Sequence, residues 1–150
     1  MNVLPGREEI LCITQTVLST MAGIEAAACE ELSECDGSKM TGVVQITGGW
    51  KGAILVQTTP NFARDAAAAM LQADAASLSA GDLQDVLAEL TNMIGGNIKS
   101  QVPGPSYLSI PSVTTGSDYE LNLKGARVVS DVAMDVAGQP LSVLMCESVG

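Results

Sequence analysis

Seven apolar residues recur at steps of three and four in one stretch of the chain: Leu83, Val86, Leu87, Leu90, Met93, Ile94 and Ile98. That spacing puts them on one face of a helix. The other face carries Asp85, Glu89, Asn92, Gly96 and Lys99 at the same steps. The pattern predicts an amphipathic helix centred on residues 85–99, DVLAELTNMIGGNIK. Ser79 stands three residues before Asp82, a weak variant of the capping box. Pro103 and Pro105 stop the helix soon after Gln101. The rest of the chain is organised around this element.

Glu89 and Asn92 are one helical turn apart, so their side chains stand beside each other on the polar face. Such a pair is ordinarily just solvated, and E-x-x-N alone says little. The longer run ELTNMIGGN is more specific. With Asp85 before it, the run resembles the signature of the CheX/CheC/FliY family of chemotaxis phosphatases. That signature is an acid or serine, then E-x-x-N on a long helix, then small residues, with a proline further on.

The resemblance implies an α+β fold (an α/β sandwich), in which long helices pack on one face of an antiparallel sheet. It implies a phosphatase whose substrate is a CheY-like receiver domain phosphorylated on aspartate. Glu89 and Asn92 would be the catalytic pair, and Asp85 and Gly96 would contact the substrate. Mg²⁺ would be held by the partner's own acids, so this chain would need neither a metal site nor a cofactor. Members with two sites carry E-x-x-N on two helices. Here Glu8, Glu9, Glu25, Glu30 and Glu31 are each followed three residues later by something other than Asn. The chain therefore looks CheX-like, with one candidate site, and CheX-like members imply a homodimer joined through sheet edges. The alternative is a non-catalytic CheX-like module that binds a receiver or a flagellar-switch protein.

Several residues keep two readings. Asp85 fits helix solubility and compensation of the helix dipole as well as a partner contact. Gly95 and Gly96 are costly in a helix, about 1 kcal/mol each against Ala. Either a receiver approaches closely there or the helix packs closely inside this protein. The family proline is read as Pro111, with Pro103 and Pro105 as competitors. Trp50, the only tryptophan, either covers a hairpin end or meets a partner.

Composition narrows the function classes. At 150 residues the chain has the size of one domain, read as residues 1–150. It is 47% apolar but only 3% aromatic, so the core should be built from Ala, Val, Leu, Ile and Met. A net charge of -10 with seven Lys and Arg argues against nucleic acid, which wants a basic face. The absence of histidine removes Ser-His-Asp and Cys-His nucleophiles and His-ligated metals. Cys12, Cys29, Cys35 and Cys146 form no C-x-x-C pair and read as free thiols. No signal peptide or membrane span is expected, since polar residues interrupt the most apolar helix. A cytoplasmic location is the expectation.

In chain order, residues 7 to about 34 read as one long helix, with Ile10, Ile13, Val17, Met21, Ile24 and Ala28 on its buried face. The acids Glu30, Glu31, Glu34 and Asp36 would form its solvated end. Residues 40–59 read as a hairpin. Thr59 and Pro60 open an Ala-rich helix over roughly residues 61–72. After the central helix, residues 106–113 read as extended, with Pro111 marking an edge. Residues 115–118 read as loop. Residues 126–136 and 141–147 read as a second hairpin, turned at 137–140. The order suggests a duplicated helix-plus-hairpin unit.

Overall fold

The structure, a computed structural model, describes residues 4–29, 39–116 and 126–148. Its sheet is sorted by the alternation of strand side chains. On β3 (Gly52–Thr58) Ile54 and Val56 face the main core, while Ala53 and Leu55 face the other side. On β7 (Gln139–Ser148) Leu141, Val143 and Met145 face the core, and Cys146 joins the second cluster. β3 and β7 pair antiparallel at the centre, with Leu55 opposite Leu144.

Outward from that pair lie β2 (Lys39–Gly48) beside β3 and β6 (Ala126–Val136) beside β7. β1 (Ala26–Ala28) closes one edge against β6. The other edge is shared by β4 (Ser106–Leu108) and β5 (Ser112–Gly116), both paired with β2. Every pairing is antiparallel. Three helices, α1 (Arg7–Ala22), α2 (Pro60–Leu71) and α3 (Ala80–Lys99), touch one another and the core face of the sheet. The α+β sandwich implied by the resemblance is the fold observed.

The strand order makes the duplication concrete. One unit is α1–β1–β2–β3 and the other is α3–β4/β5–β6–β7, with α2 between them. Each unit gives its opening strand to the other, β1 to β6 and β4/β5 to β2. The repeating unit is therefore helix, short strand and hairpin, one strand more than the sequence suggested.

The first helix is shorter than expected. It ends at Ala22 because Gly23 takes a left-handed conformation, φ 65°. The Gly23 amide donates to the Ser19 carbonyl and the Ile24 amide to the Leu18 carbonyl, the pairing of a Schellman stop. Ala28, expected on the buried helix face, is an exposed strand residue instead. The acid cluster at Glu30, Glu31, Glu34 and Asp36 lies outside the described residues. Two further boundaries move. Thr115 and Gly116 belong to β5 and are not loop. The last turn is the two-residue Ala137–Gly138, with φ 54° and 82°, so Gln139 and Pro140 already pair in β7.

Trp50 covers a hairpin end. It is 7% exposed, and its indole N–H donates to Glu147 Oε2 at 2.7 Å. Arg127 donates to Glu147 Oε1 at 2.9 Å across β6 and β7. The Trp50 hydrogen bond first, then the Arg127 guanidinium, holds the Glu147 carboxyl below the usual carboxylate range. Among the described residues, no helix is long and apolar enough to cross a membrane.

Candidate functional site

α3 starts where the sequence placed its cap. The Ser79 hydroxyl accepts from the Asp82 amide at 3.1 Å, and Asp82 Oδ2 accepts from the Ser79 amide at 2.9 Å. The two bonds satisfy donors that a helix start leaves unpaired. Past the far end, Val102 is buried, and the Gly49 amide donates to the Pro105 carbonyl at 2.9 Å. The hairpin of β2 and β3 thus anchors the chain just beyond α3.

Burial on α3 follows the predicted face. Leu83, Val86, Leu87, Leu90, Ile94 and Ile98 are buried, with Thr91 and Gly95 also against the sheet. Met93 is only partly covered. Two close approaches fix the helix on β2. A Cβ on Gly42 would run into the Thr91 side chain, and a Cβ on Gly95 would come within 2.5 Å of Val44 Cγ2. These contacts decide the reading of Gly95: its missing side chain lets α3 pack on this protein's own sheet. Gly96 differs, because a Cβ there would meet Leu108 Cδ2 at an ordinary 3.9 Å. Its outward side remains open to a visitor.

The polar stripe is presented to solvent. Asp85 and Glu89 are exposed, while Asn92, Gly96 and Lys99 are half-buried. The side-chain hydrogen bonds along α3 are those of Ser79 with Asp82, Thr91 to the Leu87 carbonyl, Asn97 to the Met93 carbonyl and the capping Ser100 to the Asn97 carbonyl. Among the described residues, then, Glu89 and Asn92 have no hydrogen-bond partner within the chain. Of the two asparagines in the motif, Asn97 is tied to its own helix, and Asn92 has no such bond among the described residues. A carboxylate and an amide held on a rigid helix can enter a concave partner. The amide can hold a water, and the carboxylate can pair with a cation.

The flanks of the stripe are not alike. On the α1 side a shallow groove is lined by Glu9, Cys12, Thr16, Asn97 and Gln101, among others. On the other side lie Leu108 of β4 and the Ser109–Ile110–Pro111 connection. Ile110 is 89% exposed. The sequence reading noted Ile110 only as part of an extended run, although an Ile-Pro step on an edge was the available signal. It also missed Gly42, whose role depends on a contact made 49 residues away, at Thr91.

The described cysteines lie off this stripe, with Cys12 in the groove beside it. Cys12 is exposed, Cys29 half-buried and Cys146 buried, all as free thiols, and Cys35 lies outside the described residues. Burial, then the charge of Asp131, pushes the Cys146 thiol up. Among the described residues no three His, Cys, Asp or Glu side chains gather where they could hold a metal. α1, the counterpart of α3 in the other unit, has acids only at Glu8 and Glu9, and neither is followed by Asn at the third place.

One antiparallel sheet backed by helices, with opening strands exchanged between two units, is the CheC-like α+β sandwich. Solved structures share it. A chemotaxis protein CheX from Desulfovibrio desulfuricans is 24% identical, with TM-score 0.71 over 93% of this chain and 96% of that one. A CheC-like superfamily protein from Shewanella sp. PV-4 is 21% identical, with TM-score 0.68 over 91% and 93%. The CheX of a CheX–CheY–BeF3–Mg²⁺ complex from Borrelia burgdorferi is 18% identical, with TM-score 0.75 over 97% and 100%. No curated protein matches the chain. The family profile described as chemotaxis phosphatase CheX matches residues 40–133, and the chain belongs to that family.

Proposed function

We propose that this protein hydrolyses the phospho-aspartate of a CheY-like receiver domain, with α3 entering the receiver's phosphorylated pocket. The observation that carries the reading is the pair Glu89 and Asn92, side by side on the open face of α3 with no partner within the described chain. Membership of a chemotaxis phosphatase family and the fold shared with a CheX crystallised with CheY support it.

Acyl phosphates are reactive, so the catalyst has little covalent work to do. It must hold a water in line with phosphorus and compensate charge. In this reading the Asn92 amide orients the water. The water oxygen bonds to phosphorus, and the P–O bond to the receiver aspartate breaks with its electron pair left on the carboxylate. One of the water's two protons stays on the phosphate and the other goes to solvent. Glu89 pairs with the lysine of the receiver pocket and fixes the depth of α3. Asp85 and Gly96 meet the receiver surface on the same stripe. Mg²⁺ stays with the receiver's acids and neutralises the phosphoryl oxygens.

A homodimer belongs to the same reading, joined at a sheet edge away from the α3 stripe. Among the described residues β6 pairs on its outer side at Met134 to Val136, and the Cys29 amide adds a hydrogen bond to the Ala133 carbonyl. Among the described residues no strand pairs with the outer side of β6 from Ala126 to Val132, which suits a second copy.

The test is the decay of radiolabelled phospho-receiver with and without this protein. Wild type should accelerate decay. Asn92→Ala should slow it roughly 100-fold while the receiver still binds, as when one preorganised polar group is lost. Glu89→Ala should weaken productive docking as well. Decay that stays at the intrinsic rate for every receiver of the host would overturn the enzyme reading. Tight binding without turnover would make the protein a scaffold.

A further inference from the structure

Ile110 is the most exposed large apolar side chain among the described residues, at 89%. Its place is set by register. Leu108 stands opposite Ile46 and Ser112 opposite Val43, so the edge takes four steps where β2 takes three. The extra residue takes Ile110 and Pro111 out of the ladder, as a bulge does. The base of this bulge is pinned. The Ser109 amide donates to the Gln45 carbonyl at 2.9 Å, and the Gln45 amide donates to the Ser109 hydroxyl at 2.8 Å.

The bulge runs beside one particular turn of α3. Leu108, before it, reaches Gly95 and Gly96. Val113, after it, pairs with Gly42, which lies under Thr91. Between them runs the turn from Thr91 to Gly95, which carries Asn92. Pro111 confines Ile110 to extended backbone, so little ordering remains to be done when a partner arrives.

A second copy is a poor candidate to cover Ile110. Edge strands of three and five residues, interrupted by a proline, do not template a new strand. A body that lies over α3 to reach Glu89 and Asn92 would meet Ile110 in the same movement. We infer that Ile110 is an apolar docking contact for the receiver, one that sets affinity and leaves the chemical step alone. The inference rests on the partner named under the proposed function.

The test uses the whole protein and a receiver loaded with Mg²⁺ and beryllofluoride, a stable phosphoryl mimic. Ile110→Ser should weaken binding about tenfold, and Ile110→Val by no more than about fourfold, as the loss of one buried carbon allows. Leu71→Ser, at an exposed apolar site on α2, should bind like wild type. In turnover, Ile110→Ser should raise KM by the same factor with kcat unchanged, whereas Asn92→Ala should lower kcat. Wild-type affinity in Ile110→Ser would overturn the inference. So would a change of oligomeric state in that variant, which would assign Ile110 to a second copy, or a wild type that binds no receiver. If wild type binds the loaded receiver but does not turn over phospho-receiver, the phosphatase reading falls while the binding arm still decides Ile110.

Discussion

Gly42 on β2 lies directly beneath Thr91 on α3, and a methyl group on Gly42 would collide with the Thr91 hydroxyl. Thr91 is fully buried, and that hydroxyl donates to the Leu87 carbonyl at 2.7 Å. The next residue is Asn92, so this contact sets how deep α3 sits and how it is rotated. Gly42→Ala should lower stability by roughly 1–3 kcal/mol, the usual consequence of overfilling a packed core. A urea midpoint measures this. Turnover of phospho-receiver by the folded fraction should also fall, since Glu89 and Asn92 would be displaced together.

The two adjacent glycines of α3 should behave oppositely. Gly95→Ala puts a carbon 2.5 Å from Val44 Cγ2 and should destabilise the fold. Gly96→Ala meets Leu108 at 3.9 Å and removes a helix-weakening glycine, so Tm should rise, by up to about 1 kcal/mol of stability. The same methyl group would stand on the stripe proposed to meet the receiver. Gly96→Ala should therefore raise KM while it raises Tm. Thermal melts and a substrate titration on one preparation would separate the two effects.

Asp85 is exposed one turn before Glu89. As a rim contact in a docked complex it should act through screened charge. Asp85→Asn is expected to raise KM about two- to fivefold in low salt, with kcat unchanged, and the difference should shrink in high salt. A difference independent of salt, or a change in kcat, would remove Asp85 from the docking surface.

Acid should loosen the end of the β2–β3 hairpin. Hydrogen bonds from Trp50 and Arg127 lower the Glu147 pKa in the folded chain. A lowered folded pKa gives stability that is present above the ordinary carboxylate value, about 4.3, and lost as pH falls through the folded value. Glu147→Gln should therefore narrow the gap between urea midpoints at neutral and acid pH. Trp50 fluorescence would follow the transition locally. An unchanged gap would mean that other carboxylates carry the acid response.

The elements that proved legible carry their signals locally. α3 has an unbroken three-four period and a cap, Ser79 with Asp82, that both formed. Thr59 accepts from the Phe62 amide and starts α2, as a Thr before Pro suggests. The placing of Glu89, exposed, and Asn92, half-buried, on the polar face followed from the same helical period. What was misread depends on distant partners. Ala26–Ala28 has helix-forming residues and is a strand only because β6 pairs with it, a tertiary override of weak local preference. Ala137 at φ 54° forms a turn position that an alanine does not advertise. The outward set of Ile110 depends on a register difference between edge and neighbour, which no local window contains.

The exchange of opening strands has a consequence for how such a chain can change. With β1 held by β6 and β4/β5 held by β2, neither unit is a complete object without the other. A helix can therefore lack a motif without becoming dispensable, because its unit still completes the sheet that the other helix packs on. α1 stands in that position here: it carries no E-x-x-N pair, yet it packs against α3 and its unit holds the sheet on which α3 rests.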